Sequence, residues 1–292
     1  MNRIKSTFVF LAFIGIAKLM FVIASMPIAF AERPFITLAS TTSTRNSGLY
    51  EFLLPKFTKK TGIDVRVIAV GTGQAIRLAQ AGDADVLLVH HRESEEAFVK
   101  NGYGIKRIEI MYNDFIVVGP RMDPARASEG NSVVAALRAI AVTKSAFASR
   151  GDNSGTHKKE QSLWNAAGFA ENRTWEGWYK ETGSGMGATL NTASAMNAYT
   201  ITDRGTWLKF ANKGNLIIIR EGDKSLINPY GIILVNQKKH SHIKKEKGQI
   251  FIDWITSPAG QDAIGGYTIR GQKAFYPMPT DGLKSPIFQN KN

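Results

Sequence analysis

The sequence predicts an α/β protein. Two observations carry this: short apolar runs alternate with amphipathic helical patterns, and glycine and hydroxyl residues lie at the strand-to-helix turns; the 292 residues contain no cysteine. Strands that alternate with helices pack into layered α/β architecture with mainly parallel sheets. A mature chain of this length buries a sufficient core without disulfides, and thiol nucleophiles and thiolate metal sites are excluded.

The elements follow in order. Phe35 to Ala39 reads as the first strand, and Leu49 to Lys60 as a helix with Leu49, Phe52, Leu53 and Phe57 on one face. Val65 to Val70 is a second strand, and Gln74 to Ala81 a short helix stopped by Gly82. Val86 to Val89 is a buried strand, followed by a helix from Ser94 to Lys100. Phe115 to Val118 is the next strand, closed by Gly119-Pro120, and Asp123 to Asn131 reads as loop. A strand near Ala146 to Ala148 leads into helix from Lys158 to Ala167. A glycine-rich turn over Thr182 to Thr189 precedes a helix near Leu190 to Met196, and Asp203 to Ala211 is helical. Leu216 to Ile219 and Tyr230 to Val235 are strands, and helices around Gly248–Thr256 and Ala259–Ile264 close the chain.

The N-terminus predicts export. Arg3 and Lys5 precede a mostly apolar stretch from Thr7 to Ser25, and Ala29-Phe30-Ala31 supplies a small-x-small cleavage pattern. Lys18 interrupts the apolar run, which favours a cleaved signal peptide over residues 1–31 rather than a membrane anchor. Cleavage near Ala31 starts the mature chain near Glu32, in the periplasm or another extracytoplasmic space. The whole chain has 37 basic and 24 acidic side chains, a net charge of +13. Loss of Arg3, Lys5 and Lys18 leaves 34 basic residues and a net charge of +10, enough to steer anions. Nucleic acid is not the expected partner: the basic residues are scattered, and the one dense run, Lys238 to Lys247, reads as a solvated loop and helix face.

The chemistry concentrates in Ser149-Arg150-Gly151-Asp152-Asn153-Ser154-Gly155-Thr156-His157, just ahead of a helical pattern. Small and hydroxylated residues at a helix start leave convergent N–H groups, which with the helix dipole form an anion site. Arg150 adds a permanent charge and a planar donor fork. A second run, Ser40-Thr41-Thr42-Ser43-Thr44, follows the first strand; one helix cap needs one hydroxyl, and this run offers five. Gly71-Thr72-Gly73 has the same character more weakly. All three lie at the carboxyl ends of strands, where open α/β sheets bind ligands.

With these runs in place, the chain resembles the tungstate-binding proteins of bacterial tungstate ABC transporters. More broadly it resembles the type II periplasmic binding proteins that carry phosphate, sulfate and molybdate. The family's Thr-Thr-Thr-Ser motif is met by Ser40-Thr41-Thr42-Ser43 with serine in first place, and its Ser-Arg-Gly-Asp-Asp/Asn-Ser-Gly-Thr motif is met in full by Ser149 to Thr156. Asp85 to His90 and Tyr112 to Phe115 also look like family segments, and the likeness runs from Ile36 to about Pro279.

The resemblance implies two lobes joined by a hinge, with the anion in the cleft between them. Lobe one would hold residues 32–113 and 229–292, lobe two residues 114–228, with hinges near Asn113-Asp114 and Asn228-Pro229. Thr41, Thr42, Ser43 and Thr72 would donate from lobe one, and Arg150, Ser154, Gly155 and Thr156 from lobe two. Ser40 is a supporting hydroxyl whose contact with ligand the first-position substitution leaves open. Asp152 orients Arg150, since a carboxylate facing a dianion is repulsive, and His90 belongs to the cleft wall. Adjacent strand residues point to opposite faces, so His90 and His91 make a poor metal chelate. His157 is expected in the first helical turn, Gly183 to Gly187 as a flexible turn, and Trp164, Trp175 and Trp178 in packing. No cofactor or metal is expected. The partners are a tungstate-like oxyanion and an ABC permease subunit, and the protein is expected to be monomeric. Molybdate and then phosphate are the next ligands. The rival classes are an exported phosphoryl or sulfuryl hydrolase, which lacks a base or metal cluster at credible spacing, and a sensory binding protein.

Overall fold

In the computed structural model, which describes residues 32–152, 154–169 and 177–278, strand β1 (Phe35–Thr41) runs into a short helix, α1 (Thr42–Asn46), and then α2 (Leu49–Thr61). Strand β2 (Asp64–Val70), helix α3 (Thr72–Ala81), strand β3 (Val86–Val89) and helix α4 (Arg92–Lys100) follow in alternation. β1 lies between β2 and β3 and is parallel to both, as strands joined by helical crossovers are. The signal-peptide segment, Asn153 and Trp175 lie outside the described residues.

The rest of the sheet departs from the expectation of mainly parallel pairing. Strand β4 (Gly104–Pro120) is 17 residues long, of which the sequence pattern exposes only the last part. Its first stretch carries Lys106, Arg107 and Glu109, whose charges hide the apolar period. Arg107 is made tolerable there by ion pairs to Glu95 at 2.6 Å and Glu109 at 2.9 Å.

The next helix, α5 (Val133–Val142), carries no apolar–polar period and was not expected; the Ser132 hydroxyl caps it by accepting from the Ala135 N–H at 3.1 Å. Strand β5 (Phe147–Ser149) leads to α6 (Gly155–Ala166), β6 (Tyr179–Glu181), α7 (Met186–Met196), β7 (Thr200–Asp203) and α8 (Arg204–Lys209). Strands β8 (Leu216–Arg220) and β9 (Ile227–Val235) come next, then α9 (Lys245–Thr256) and α10 (Pro258–Gly266). Three two-residue strands end the described chain: β10 (Thr268–Ile269), β11 (Gln272–Lys273) and β12 (Tyr276–Pro277).

β4 pairs antiparallel with β9 up to Asp114, and with β7 and β8 from Phe115 onward. β9 also pairs antiparallel with β3, so the sheet is mixed. Asn113 of β4 stands opposite Asn228 of β9 in the register.

Strand alternation sorts the core. In β1 and β3, Ile36, Leu38, Val86 and Leu88 pack with Leu53 and Phe57 of α2 and Phe251 of α9. Ala39, Leu87 and Val89 point the other way, onto Ala75, Ile76 and Ala79 of α3 and Phe98 of α4. β4 repeats the device beyond Asp114: Phe115 and Val117 meet α5 and α6, while Ile116 and Val118 meet Met186 and Leu190 of α7 and Trp207 of α8. Strands covered by helices on both faces need apolar residues on both, which is why these runs read as continuous.

Candidate functional site

The Ser40–Thr44 run turns mostly inward. The Ser40 hydroxyl donates to the Leu88 carbonyl at 2.7 Å and is also hydrogen-bonded to the Tyr50 hydroxyl, so it faces the sheet and α2. Thr41 caps α1: its Oγ1 accepts from the Thr44 N–H at 3.5 Å and meets the Thr44 hydroxyl at 2.7 Å and the Ser43 hydroxyl at 3.3 Å. Thr42 is half-buried, and its hydroxyl takes no partner among the described residues.

The second run is built around Arg150. The strand β5 ends at Ser149, whose hydroxyl accepts from the Gly151 N–H at 3.2 Å. Gly151 has a φ of +57°, and a Cβ there would lie 2.6 Å from the Glu181 Cβ, so the turn requires glycine twice over. Arg150, 4 % exposed, donates from Nε to the Ser184 carbonyl at 3.2 Å and from Nη2 to Asp152 Oδ2 at 2.5 Å. The glycine-rich turn thus supplies an acceptor for Arg150. Asp152 uses its other oxygen to accept from the Ser154 hydroxyl at 2.5 Å and its N–H at 3.2 Å. Ser154 in turn caps α6, accepting from the His157 N–H at 3.2 Å. The Thr156 hydroxyl, on a residue 1 % exposed, forms no hydrogen bond with the described residues.

The strand ends converge at Gly155. Its N–H donates to Thr72 Oγ1 at 3.1 Å, which ties the start of α6 to the start of α3. A Cβ on Gly155 would come within 2.8 Å of His90 Cε1 and 3.1 Å of Thr72 Oγ1. His90 follows β3, and its Nδ1 lies 3.1 Å from Asn228 Oδ1, with its ring 4.8 Å from that of Tyr230. Burial, reinforced by the charge of Arg150, lowers the His90 pKa to about 4, so the imidazole is neutral at neutral pH. His91 caps α4 through Nδ1. Among the described residues no cluster of three or more His, Asp or Glu side chains could hold a metal ion.

Beneath these groups lies a network that motif reasoning does not reach. Asn228 Nδ2 donates to Asn113 Oδ1 at 2.6 Å, and Asn113 Nδ2 to the Tyr230 hydroxyl at 3.3 Å. Asparagines inside apolar strands are the signal that could have marked it. Asp203 is buried at the start of α8, where it accepts from the Thr206 N–H at 2.8 Å and hydroxyl at 2.7 Å; burial raises its pKa while these bonds and Arg150 oppose the rise. A cavity of about 330 Å³ opens beside Gly155 and His90, bordered by Arg92, Lys158, Lys159 and Lys224. Lys158 Nζ donates to the Ser94 hydroxyl at 2.9 Å and Lys159 Nζ to the Ser225 carbonyl at 2.8 Å; neither forms an ion pair with a carboxylate among the described residues, and Glu93 also lines the cavity.

One expectation is corrected elsewhere, and two others are met. The Lys238–Lys247 run is a docked loop as well as a helix face: His240 and His242 donate to the Gln80 and Gly82 carbonyls, and Lys244 Nζ sits 3.4 Å from Asp85. His157 is in the first turn of α6 as expected, donating to the Asp152 carbonyl. Trp164 and Trp178 pack against each other at 5.9 Å.

Comparison with known proteins bears on this arrangement. A family model described as a PBP superfamily domain matches residues 29–259. The chain is 50 % identical over 235 residues to the tungstate-binding protein TupA of Peptoclostridium acidaminophilum, covering 80 % of this chain and 81 % of that one. The solved structure of the tungstate-binding protein TupA from Desulfovibrio alaskensis G20 is similar with a TM-score of 0.74 and 45 % identity, over 84 % of this chain and 99 % of that one. The structure titled as the tungstate ABC transporter from Geobacter sulfurreducens matches with a TM-score of 0.73 and 46 % identity, over 80 % of this chain and 98 % of that one.

Proposed function

Because the chain belongs to the tungstate-binding-protein family within the PBP superfamily, we propose that it captures tungstate outside the cytoplasm and delivers it to the permease of an ABC transporter. It is a binding protein and not an enzyme, as its relatives are. Molybdate, of the same charge and nearly the same size, is the next ligand. The signal peptide over residues 1–31, with cleavage near Ala31, and a monomeric state are part of the same proposal.

The observation that carries it is the setting of Arg150. A guanidinium 4 % exposed is held on two edges by Asp152 and the Ser184 carbonyl at the start of a 12-residue helix. Its Nη1 has no partner among the described residues, and the uncommitted hydroxyls of Thr42 and Thr156 belong to the two motif runs. A held cation with one open edge, hydroxyl donors and a helix N-terminus suit a tetrahedral dianion. In this assignment Thr42, Ser43, Thr156 and Arg150 contact the ligand, with donation also from the Thr72 hydroxyl; Ser154 and Gly155, which donate to Asp152 and Thr72, join the ligand shell on exchanging those bonds for the anion. Thr41 contributes through its backbone and cap, and Ser40 and Asp152 support from behind.

Two lobes meeting at β4 and β9 would close on the anion, with Asn113 and Asn228 at the crossing. Titration calorimetry with tungstate, paired with small-angle scattering, tests this. One-to-one binding with a smaller radius of gyration is expected. Absence of heat and of any thermal shift with tungstate or molybdate rejects the assignment.

A further inference from the structure

Glu160 projects from the second turn of α6 into the interior and is 0 % exposed. Its Oε1 accepts from the Tyr179 hydroxyl at 2.6 Å. Its Oε2 has no hydrogen-bond partner among the described residues, while the nearby Ser149 hydroxyl and Arg150 backbone N–H favour the charged form of the carboxyl. Tyr179 also accepts from Gln161 Nε2 at 3.2 Å, and Gln161 donates to His157 Nε2 at 2.9 Å. His157 completes the circuit by donating to the Asp152 carbonyl. The carboxyl is therefore linked through Tyr179, Gln161 and His157 to Asp152, the residue that holds Arg150.

We propose that Glu160 is a positioning residue: from beneath the turn of residues 149–154 its buried carboxylate holds Arg150 at the angle that meets an oxyanion. The inference rests on the oxyanion reading of the site. Ordinary helix stability gives no reason for a carboxylate here, because burying a charge with incomplete hydrogen bonding is unfavourable to the fold. Burial raises the Glu160 pKa from about 4.5 to about 7. The folded chain thus holds the proton more tightly than the unfolded chain. Its stability falls as pH rises from about 4.5 to 7, and the full penalty is present above 7. The neighbouring titratable or charged groups are His157 on α6, Arg150 and Asp152 in the turn, Tyr179 and Glu181 on β6, Asp203 on β7, and Arg138, whose Nε donates to the Ala167 carbonyl at the far end of α6.

A merely structural glutamate and a positioning one predict different results for Glu160→Gln and Glu160→Met. Both substitutions keep volume; glutamine keeps one acceptor and methionine none. At pH 8 the glutamine variant should melt no lower than the parent, since the buried charge is gone, while tungstate binds several-fold more weakly. The methionine variant should bind roughly tenfold more weakly, the equivalent of one lost charge-assisted hydrogen bond. The ratio of variant to parent dissociation constants should shrink from pH 8 to pH 6, where the parent glutamate is itself largely protonated. Amide exchange over residues 149–156 should quicken in both variants without ligand. That readout holds even if the ligand is another anion. A parent that binds tungstate, with variants within twofold of it at pH 8 and unchanged exchange over 149–156, overturns the positioning role. Affinity and melting temperature falling together with no change in the pH profile overturns it equally. A parent that binds no oxyanion rejects the site assignment, and the exchange data then decide Glu160 on their own.

Discussion

In the Ser40–Thr44 run every hydroxyl except that of Thr42 is bonded inside the protein: Ser40 to the Leu88 carbonyl and Tyr50, and Thr41 to Ser43 and Thr44. In the Ser149–Thr156 run the bonds converge on one charged side chain, and they fix it without consuming it. Two runs that look equally rich in donors therefore differ in what they can offer a ligand. Hydroxyls that are close in sequence close on one another, because each both donates and accepts. A guanidinium only donates, so neighbours can hold some of its N–H groups and leave the rest open.

The difference is broken most directly at Arg150. Arg150→Ala removes the buried charge that the proposed function sets against the ligand, and should weaken tungstate binding by about 2–5 kcal/mol. Arg150→Lys should restore part of this, returning charge without the fork. Near-parental affinity of the alanine variant in calorimetry contradicts the role given to this residue.

The comparison is sharpened by a pair of smaller changes. Ser40→Ala leaves the Leu88 carbonyl and Tyr50 hydroxyl short of a partner, so unfolding stability should drop by about 1–3 kcal/mol with affinity retained. Thr156→Val should do the opposite, weakening binding by about 0.5–1.5 kcal/mol with stability held within a few tenths. Denaturant unfolding and calorimetry on the two variants separate the cases. The same effect in both variants would mean that the runs are alike after all.

Smaller again is the contribution of Lys158 and Lys224 at the cavity mouth. Their replacement by glutamine should slow tungstate association roughly threefold at low salt, with the gap closing at high salt and dissociation unchanged. Stopped-flow traces in which dissociation changes instead would make these lysines direct contacts.

Much of this was legible in the sequence for identifiable reasons. β1, β2 and β3 are short apolar runs, β1 and β3 covered by helices on both faces, and the Ser149–Thr156 motif is contiguous. What was hidden depends on distant partners. The charged half of β4 is a strand only because Glu95 on α4 neutralises Arg107. The antiparallel pairing of β4 with β9 brings together Asn113 and Asn228, 115 positions apart. α5 is apolar on nearly every side and so lacks the period that marks an amphipathic helix. Glu160 sits among polar helix residues that ordinarily face water, and only the packing of β6 against α6 shows that it does not.

Competition at neutral pH tests the ligand assignment most directly. Tungstate and molybdate are fully deprotonated tetrahedral dianions, whereas every phosphate ion keeps at least one proton. A site of hydroxyls, N–H groups and one guanidinium has no carboxylate free for that proton, because Asp152 is engaged by Arg150 and Ser154. Sulfate has the right charge but is too small to reach every donor at once. In competitive titration calorimetry tungstate and molybdate should rank close together and well above both sulfate and phosphate. Phosphate binding as tightly as tungstate, or more tightly, would contradict the assignment and make Asp152 the acceptor of a ligand proton.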